Sequence, residues 1–269
     1  SNLKIDKKLA EKVFPKFSSS KEWSDLLAAI KLLKEIFQTY PNENFSKIQD
    51  KIQLSRRLAQ SLNPNHPPGL HSETLEVFDL LFENILTNNS SVGEDCALYL
   101  TGLFSYFQYA TLQNKTFFLN NIVIKHILKL DKRELFYSLT GLLSCLIPGI
   151  DDTNEAVVKL IKEIFKKCRK IISESQFYYC FWILVLRTDK LRYAGLKYLN
   201  ESIISYRSLV THFKYESGPE KESNYSTEKI EKLEKRKRES LHFLADNFHL
   251  TSSTLLEVKV EIKRNFLPN

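Results

Sequence analysis

Between Trp23 and Tyr40 the apolar residues fall at Trp23, Leu26, Leu27, Ile30, Leu33, Ile36 and Phe37. Spacings of three and four put them on one helical face, with Trp23 in phase with the buried stripe and hence a predicted core residue. Ser20 is the expected N-cap, and Tyr40-Pro41-Asn42 the stop. A second helix is predicted from Ile48 to Leu62, ended by Asn63-Pro64. Ser72-Glu73 opens a third, in which Leu75, Phe78, Phe82 and Ile85 share a face, and Asn88-Asn89-Ser90-Ser91 closes it. Further helical patterns cover 94–112, 115–129, 132–147, 153–173, 175–187 and 190–204. Their links are short, which makes consecutive helices antiparallel neighbours. From Lys214 to Thr227 the pattern vanishes into Glu, Ser, Asn and Gly218-Pro219, as expected of a flexible insertion or a boundary. It returns from Lys229 to Phe248 with Ile230, Leu233, Leu241, Leu244 and Phe248 in helical phase.

The chain also echoes itself. Leu100-Thr101-Gly102-Leu103-Phe104-Ser105 recurs as Leu139-Thr140-Gly141-Leu142-Leu143-Ser144, a shift of 39 residues. Helix pairs repeating near that length are the HEAT/armadillo period. Gly102 and Gly141 would let adjacent helices come close, at a propensity cost of about 1 kcal/mol each relative to Ala. The expected fold is therefore all-α, an α-solenoid of HEAT/armadillo-like helical hairpins. Residues 1–213 would form its main domain, 214–227 a loop, and 228–269 helices that continue the solenoid. Only 7 Gly and 8 Pro occur in 269 residues, too few turn residues for an all-β chain.

Composition changes this picture little. Hydrophobic residues at 43% and charged residues at 26% are ordinary for a globular protein. The net charge of +7 is a modest, lysine-dominated excess scattered over helices, which disfavours nucleic acid as a partner. Cys96, Cys145, Cys168 and Cys180 lie far apart within apolar patterns. They are read as reduced core residues of a cytosolic protein, since their spacing suits no metal and a chain this long needs no disulfide staples. No apolar run reaches the length needed to span a membrane. The absence of Met, at position 1 as elsewhere, suggests a fragment opening on a tag remnant at Ser1-Asn2, or methionines lost from the sequence.

Chemistry-bearing motifs are missing. There is no phosphate-binding glycine loop, no H-E-x-x-H and no G-x-S-x-G, and His71-Ser72-Glu73 lacks the P-C-x-x-C that a zinc deaminase requires. His71 is read as a turn or helix-start residue bonding to backbone. Asp151-Asp152 sit where carboxylates favour a helix N-terminus rather than catalysis. The sequence predicts no enzyme and no cofactor or metal.

Two kinds of surface remain. Lys159, Lys162, Lys166, Arg169 and Lys170 recur at helical spacing on one side of the 153–173 helix, interrupted by Glu163, while Val158, Ile161, Ile164, Phe165, Cys168 and Ile172 occupy the other. A solvated outer face explains this pattern, and so does a patch for anionic lipid headgroups. Lys235-Arg236-Lys237-Arg238 is a second basic candidate. Aromatic residues make up 12% of the chain and mostly follow the apolar stripes. Tyr106, Tyr109, Tyr178 and Tyr179 are candidates to line a groove that takes a partner helix or peptide, against a plain core role.

Several short blocks carry a resemblance. The junction Arg56-Arg57-Leu58-Ala59-Gln60-Ser61-Leu62-Asn63-Pro64, through Pro67-Pro68-Gly69-Leu70-His71 to Leu75-Glu76-Val77-Phe78, joins two helical patterns at a turn stiffened by prolines. With Glu22-Trp23-Ser24-Asp25-Leu26 it resembles the amino-terminal domain of the Dopey family. Leu98-Tyr99-Leu100-Thr101-Gly102-Leu103-Phe104 resembles that family's "LYLPGLF", with Thr101 in place of proline. Gly141 to Ile150 resembles its "LLPGLE" turn, and Phe181-Trp182 with Arg192 to Leu199 its "RLGALAYL" segment. The resemblance implies a non-enzymatic scaffold, cytoplasmic and peripheral on Golgi and endosome membranes. It implies association with a Mon2-like trafficking scaffold and an aminophospholipid flippase, and links the amino-terminal region to phosphatidylinositol-4-phosphate and kinesin light chain. The rival expectation is a purely protein-binding helical-repeat module with no lipid contact. Glu22-Trp23-Ser24-Asp25 is not read as a tryptophan-acidic motif for kinesin light chain, because Trp23 follows the buried stripe.

Overall fold

The computed structural model describes residues 4–88 and 92–216. The chain divides into two compact units between Phe181 and Trp182. No strand occurs among the described residues. The helices are α1 (Lys4–Lys8), α2 (Phe14–Ser19), α3 (Trp23–Thr39), α4 (Lys51–Ser61), α5 (Pro68–Asn88), α6 (Val92–Phe104), α7 (Leu112–Phe117), α8 (Lys132–Leu146), α9 (Glu155–Ile171), α10 (Glu174–Arg187) and α11 (Asp189–Glu216).

Two stretches widen into π-helix, Leu9–Val13 between α1 and α2, and Phe118–Ile124 after α7. The sequence explains both. Ile5, Leu9, Val13 and Phe17 are all buried and recur every four residues, as do Phe118, Ile122 and His126. A strict spacing of four outruns the 3.6-residue α-turn, so a plain α-helix would rotate this stripe away from its neighbours. The wider π-turn brings it back into line.

Helix boundaries follow local chemistry. The expected N-cap Ser20 instead donates its hydroxyl to the Phe17 carbonyl at 2.6 Å, closing α2. The cap of α3 is a box formed by Glu22 and Asp25. α5 starts at Pro68, earlier than Ser72, because Pro at the first helical position has no amide to leave unpaired. The expected helix over 94–112 ends at Phe104, and Thr111 caps the next by accepting from the Asn114 amide. α11 runs to Glu216, past the expected end at 204 and into the 214–227 segment. The remainder of that segment and the 229–248 helix lie outside the described residues.

In the first unit the helices pack in two rows. α3 packs on α5, α5 on α7 and the Phe118–Ile124 segment, and that segment on α9. In the other row α4 packs on α6 and α6 on α8. The chain therefore returns to the same row after one helix pair. The side-chain hydrogen bonds that join one helix pair to the next follow that period, from 37 residues apart, as in Lys115 to Asp152, to 47 apart, as in His126 to Asp79. Lysines stitch successive pairs, with Lys34 bonded to Glu73 and Glu76, Lys51 to Asp95, and Lys125 to Asp79 and Glu83.

The echoed glycines occupy matching places in the second row. A Cβ on Gly102 would lie 2.4 Å from the Cβ of Ala59 on α4, and one on Gly141 2.6 Å from the ring of Phe104 on α6. Each glycine lets its helix press against the one before it. In the second unit, Arg192 reaches back to the carbonyls of Val185 and Leu186 and pairs with Asp189 at 2.7 Å. A cation thereby satisfies the open C-terminal carbonyls of α10.

Candidate functional site

α9 presents the strongest split between apolar and charged faces. Asn154 caps it, its side chain accepting from the amides of Ala156 and Val157 at 3.0 and 3.3 Å. Glu155 opens the helix, and Arg169 and Lys170 close it, in accord with the helix dipole. Val157, Ile161, Ile164, Phe165 and Cys168 are buried. Val158 is only half-buried, so Val157 takes the core position assigned to it by spacing.

Of the five basic candidates on the far side, Lys159, Lys166 and Lys170 are exposed and Lys162 is half-buried. Arg169 has another engagement. It donates to the Tyr178 hydroxyl at 2.6 Å and lies 5.7 Å from the Tyr178 ring centre and 6.0 Å from that of Phe177. A guanidinium so placed braces α9 against α10 by hydrogen bonding and cation–π attraction. Lys167, which helical spacing did not single out, is exposed and extends the basic face. Glu163 is exposed beside it.

The tyrosine candidates do not form one surface. Tyr106 is 2% exposed and belongs to the core. Its hydroxyl accepts from the Asn114 amide at 3.1 Å, and burial pushes its pKa up to about 12. Tyr178 is half-buried under Arg169, while Tyr109 and Tyr179 are exposed. The structure brings Tyr178 to Arg169, joining one protein-binding candidate to one lipid-binding candidate in a structural contact. Lys235, Arg236, Lys237 and Arg238 lie outside the described residues.

Trp23, expected in the core, is 48% exposed. The apolar stripe of α3 becomes buried only from Ala29 onward, with Leu26 and Leu27 half-covered, so its first turn stands clear of neighbours.

The proline junction carries a polar network that spacing could not reveal. His71 donates from Nε2 to the Asn63 carbonyl at 2.8 Å, and its ring meets that of Tyr106 edge-on. Asn114 donates to the Pro68 carbonyl at 3.2 Å and accepts from the Ser72 hydroxyl at 2.8 Å. Burial holds His71 below its ordinary pKa of 6.5, despite the opposing bond to Asn63. A second cluster joins buried His126 to Asp79 at 2.6 Å, with Lys125 on the same carboxylate at 2.8 Å. Burial works to raise the Asp79 pKa, but the bonds from His126 and Lys125 prevail and hold it below the ordinary 3.8.

Asp152, read as a helix-start carboxylate, bonds Lys115 at 2.6 Å as well as the Asn154 amide at 2.9 Å, so it links α7 to the turn before α9. All four cysteines are free and buried. Among the described residues no cluster of His, Cys, Asp and Glu could hold a metal ion, and no helix is long and apolar enough to cross a membrane.

The amino-terminal Dopey family model matches residues 4–267. The chain is 26% identical over 242 residues to Protein DOP1 of Saccharomyces cerevisiae, covering 87% of this chain and 14% of the relative. It is 29% identical over 182 residues to Protein DOP1B of Xenopus laevis, covering 68% of this chain and 8% of the relative. Against Protein pad-1 of Caenorhabditis elegans it is 26% identical over 202 residues, 75% of this chain and 8% of that protein. The chain thus spans a small part of the length of these relatives. No solved structure matches it.

Proposed function

Because the chain belongs to the Dopey family, we propose that it is a non-enzymatic scaffold module of Golgi and endosome membrane traffic, docking on membranes that contain phosphatidylinositol-4-phosphate. Its architecture is a HEAT/armadillo-like solenoid. The near-40-residue period of its hydrogen bonds and its repeated glycine contacts support that reading. Its partners are a Mon2-like scaffold, a phospholipid flippase and kinesin light chain, and its place is cytoplasmic, peripheral on Golgi and endosome membranes. These roles rest on family membership.

One observation carries the lipid reading: Lys159, Lys166 and Lys170 stand exposed on one face of α9, whose opposite face is locked into the core. Lysines so held meet headgroup phosphates without reordering the helix, each contributing about 1 kcal/mol close to an anionic surface. Liposome co-sedimentation with and without phosphatidylinositol-4-phosphate tests it. The Lys166→Glu/Lys170→Glu chain should lose selective binding by a factor on the order of 25 or more, about fivefold for each lysine removed, and should melt like the wild type. Equal sedimentation of both chains would move the site elsewhere. Absence of binding by either would favour the purely protein-binding module. Salt separates the readings further, since headgroup binding weakens steeply with ionic strength and a packed apolar contact does not.

A further inference from the structure

The turns that open α3, α5, α7 and α9 lie along one edge of the first unit. Arg57 of α4 donates to the Ser18 hydroxyl in the last turn of α2, just before α3, at 3.2 Å. Asn114 of α7 bonds the start of α5 at Pro68, and Lys115 of α7 pairs with Asp152 ahead of α9. Large apolar side chains project from this edge: Trp23 at 48% exposure, Tyr109 at 60% and Leu112 at 51%.

Around Trp23 charges of both signs are exposed, and they differ in what engages them. Glu22 and Asp25 are exposed, but both carboxylates are bonded to backbone amides. Glu22 accepts from a backbone amide of α3, and Asp25 accepts from the amides of Lys21 and Glu22 at 3.0 and 3.3 Å. Those amide bonds, then the charges of Lys16 and Lys21, hold Asp25 below the ordinary carboxylate pKa. Lys16 and Lys21 thus converge on the α2–α3 turn, and both are exposed, as is Lys12 one turn before Lys16. The acids are engaged in capping α3, and the lysines beside them are exposed.

We propose that this edge meets an anionic membrane surface, with the Trp23 indole seated at headgroup level, Lys16 and Lys21 against lipid phosphates and carboxylates, and Tyr109 with Leu112 as a second point of contact. Indole and phenol rings favour that depth, having an apolar body and a polar tip, and nearby lysines add attraction to anionic lipid. Side chains that project singly from successive turns suit a broad, flat partner, whereas a bound peptide takes a groove. This inference rests on the membrane-docking reading but uses none of the α9 lysines.

The chain holds two tryptophans, so Trp182→Phe leaves Trp23 as the sole emitter. Its fluorescence is followed with phosphatidylcholine vesicles, with and without phosphatidylserine, and with acyl chains brominated as quenchers. The expected result is a blue shift and quenching that require phosphatidylserine. Lys16→Ala/Lys21→Ala should weaken binding about 25-fold, about fivefold per lysine. Trp23→Ala, with Trp182 kept, should sediment less in the same assay, so the test does not hang on one variant. Sedimentation with unchanged Trp23 emission overturns the edge and leaves the α9 site standing. Loss of the shift in Lys166→Glu/Lys170→Glu alone, with Lys16→Ala/Lys21→Ala behaving as wild type, also overturns it. A shift caused by polyglutamate and not by vesicles makes the edge a docking surface for acidic protein and refutes the membrane assignment. No sedimentation with phosphatidylserine vesicles overturns the edge, while the α9 reading is decided separately by the phosphatidylinositol-4-phosphate liposomes.

Discussion

Gly102 shows how much one hydrogen atom in place of a methyl decides. Alanine would raise the helix propensity of α6 by about 1 kcal/mol, but its Cβ would fall 2.4 Å from that of Ala59, on a helix that cannot yield without moving backbone. The overpacking costs about 1–3 kcal/mol, so after the propensity gain Gly102→Ala should destabilise the protein by a net of up to about 2 kcal/mol in urea unfolding. Adding Ala59→Gly should restore part of the loss by removing the opposing methyl. Gly141→Ala should cost less, since the ring of Phe104 that it meets is a side chain able to turn. His71 gives a matching case in titration. Its folded pKa lies below the ordinary 6.5, so the unfolded chain binds the proton more readily. The contribution of His71 is complete above pH 6.5 and is lost as pH falls through its folded pKa. Melts recorded across that window should show this acid lability, and a His71→Gln chain should not. The echoed glycines could be read in the sequence because repetition exposed them. The partners of His71 could not, because Asn63 and Tyr106 meet it only after the proline turn folds back.

At the level of elements, α9 was almost fully legible. Its apolar and basic residues alternate at helical spacing, and burial follows that pattern with Val157 exchanged for Val158. What spacing cannot assign is the use of each cation. Lys159, Lys166 and Lys170 face solvent, whereas Arg169 is drawn onto Tyr178 and Phe177 of the next helix. The loss of lipid selectivity in Lys166→Glu/Lys170→Glu is therefore expected without loss of stability, while Arg169→Ala should loosen the α9–α10 contact and lower the melting temperature. The α1–α2 helix and the Phe118–Ile124 segment were harder to read. Their four-residue spacing is visible in the sequence, yet it is close enough to 3.6 to pass for α until neighbours fix which face must stay covered.

For the first unit as a whole, the two-row packing means that each helix pair touches chiefly the pairs before and after it. Stability in such an array is a sum of local terms. Hydrogen exchange on the Gly102→Ala chain should accordingly show lost protection concentrated in α4, α6 and α8, with little change in α1 and α2. Uniform loss through the unit would mean that it unfolds as a single cooperative block. The lysine pairs that join successive helix pairs are partly exposed, so each contributes modestly. The buried His126–Asp79 contact is the better covered of these links.

The sequence by itself determined the helical class, the echoed glycines 39 residues apart, the buried state of the cysteines and the family, because these follow from residue spacing and from short blocks in order. Tertiary structure alone decided that Trp23 stands exposed, that Tyr106 is buried and that Arg169 serves as a brace. Periodicity reports which side of a helix is apolar. It cannot report how far along that side the neighbouring helix reaches, and at Trp23 the neighbour stops short.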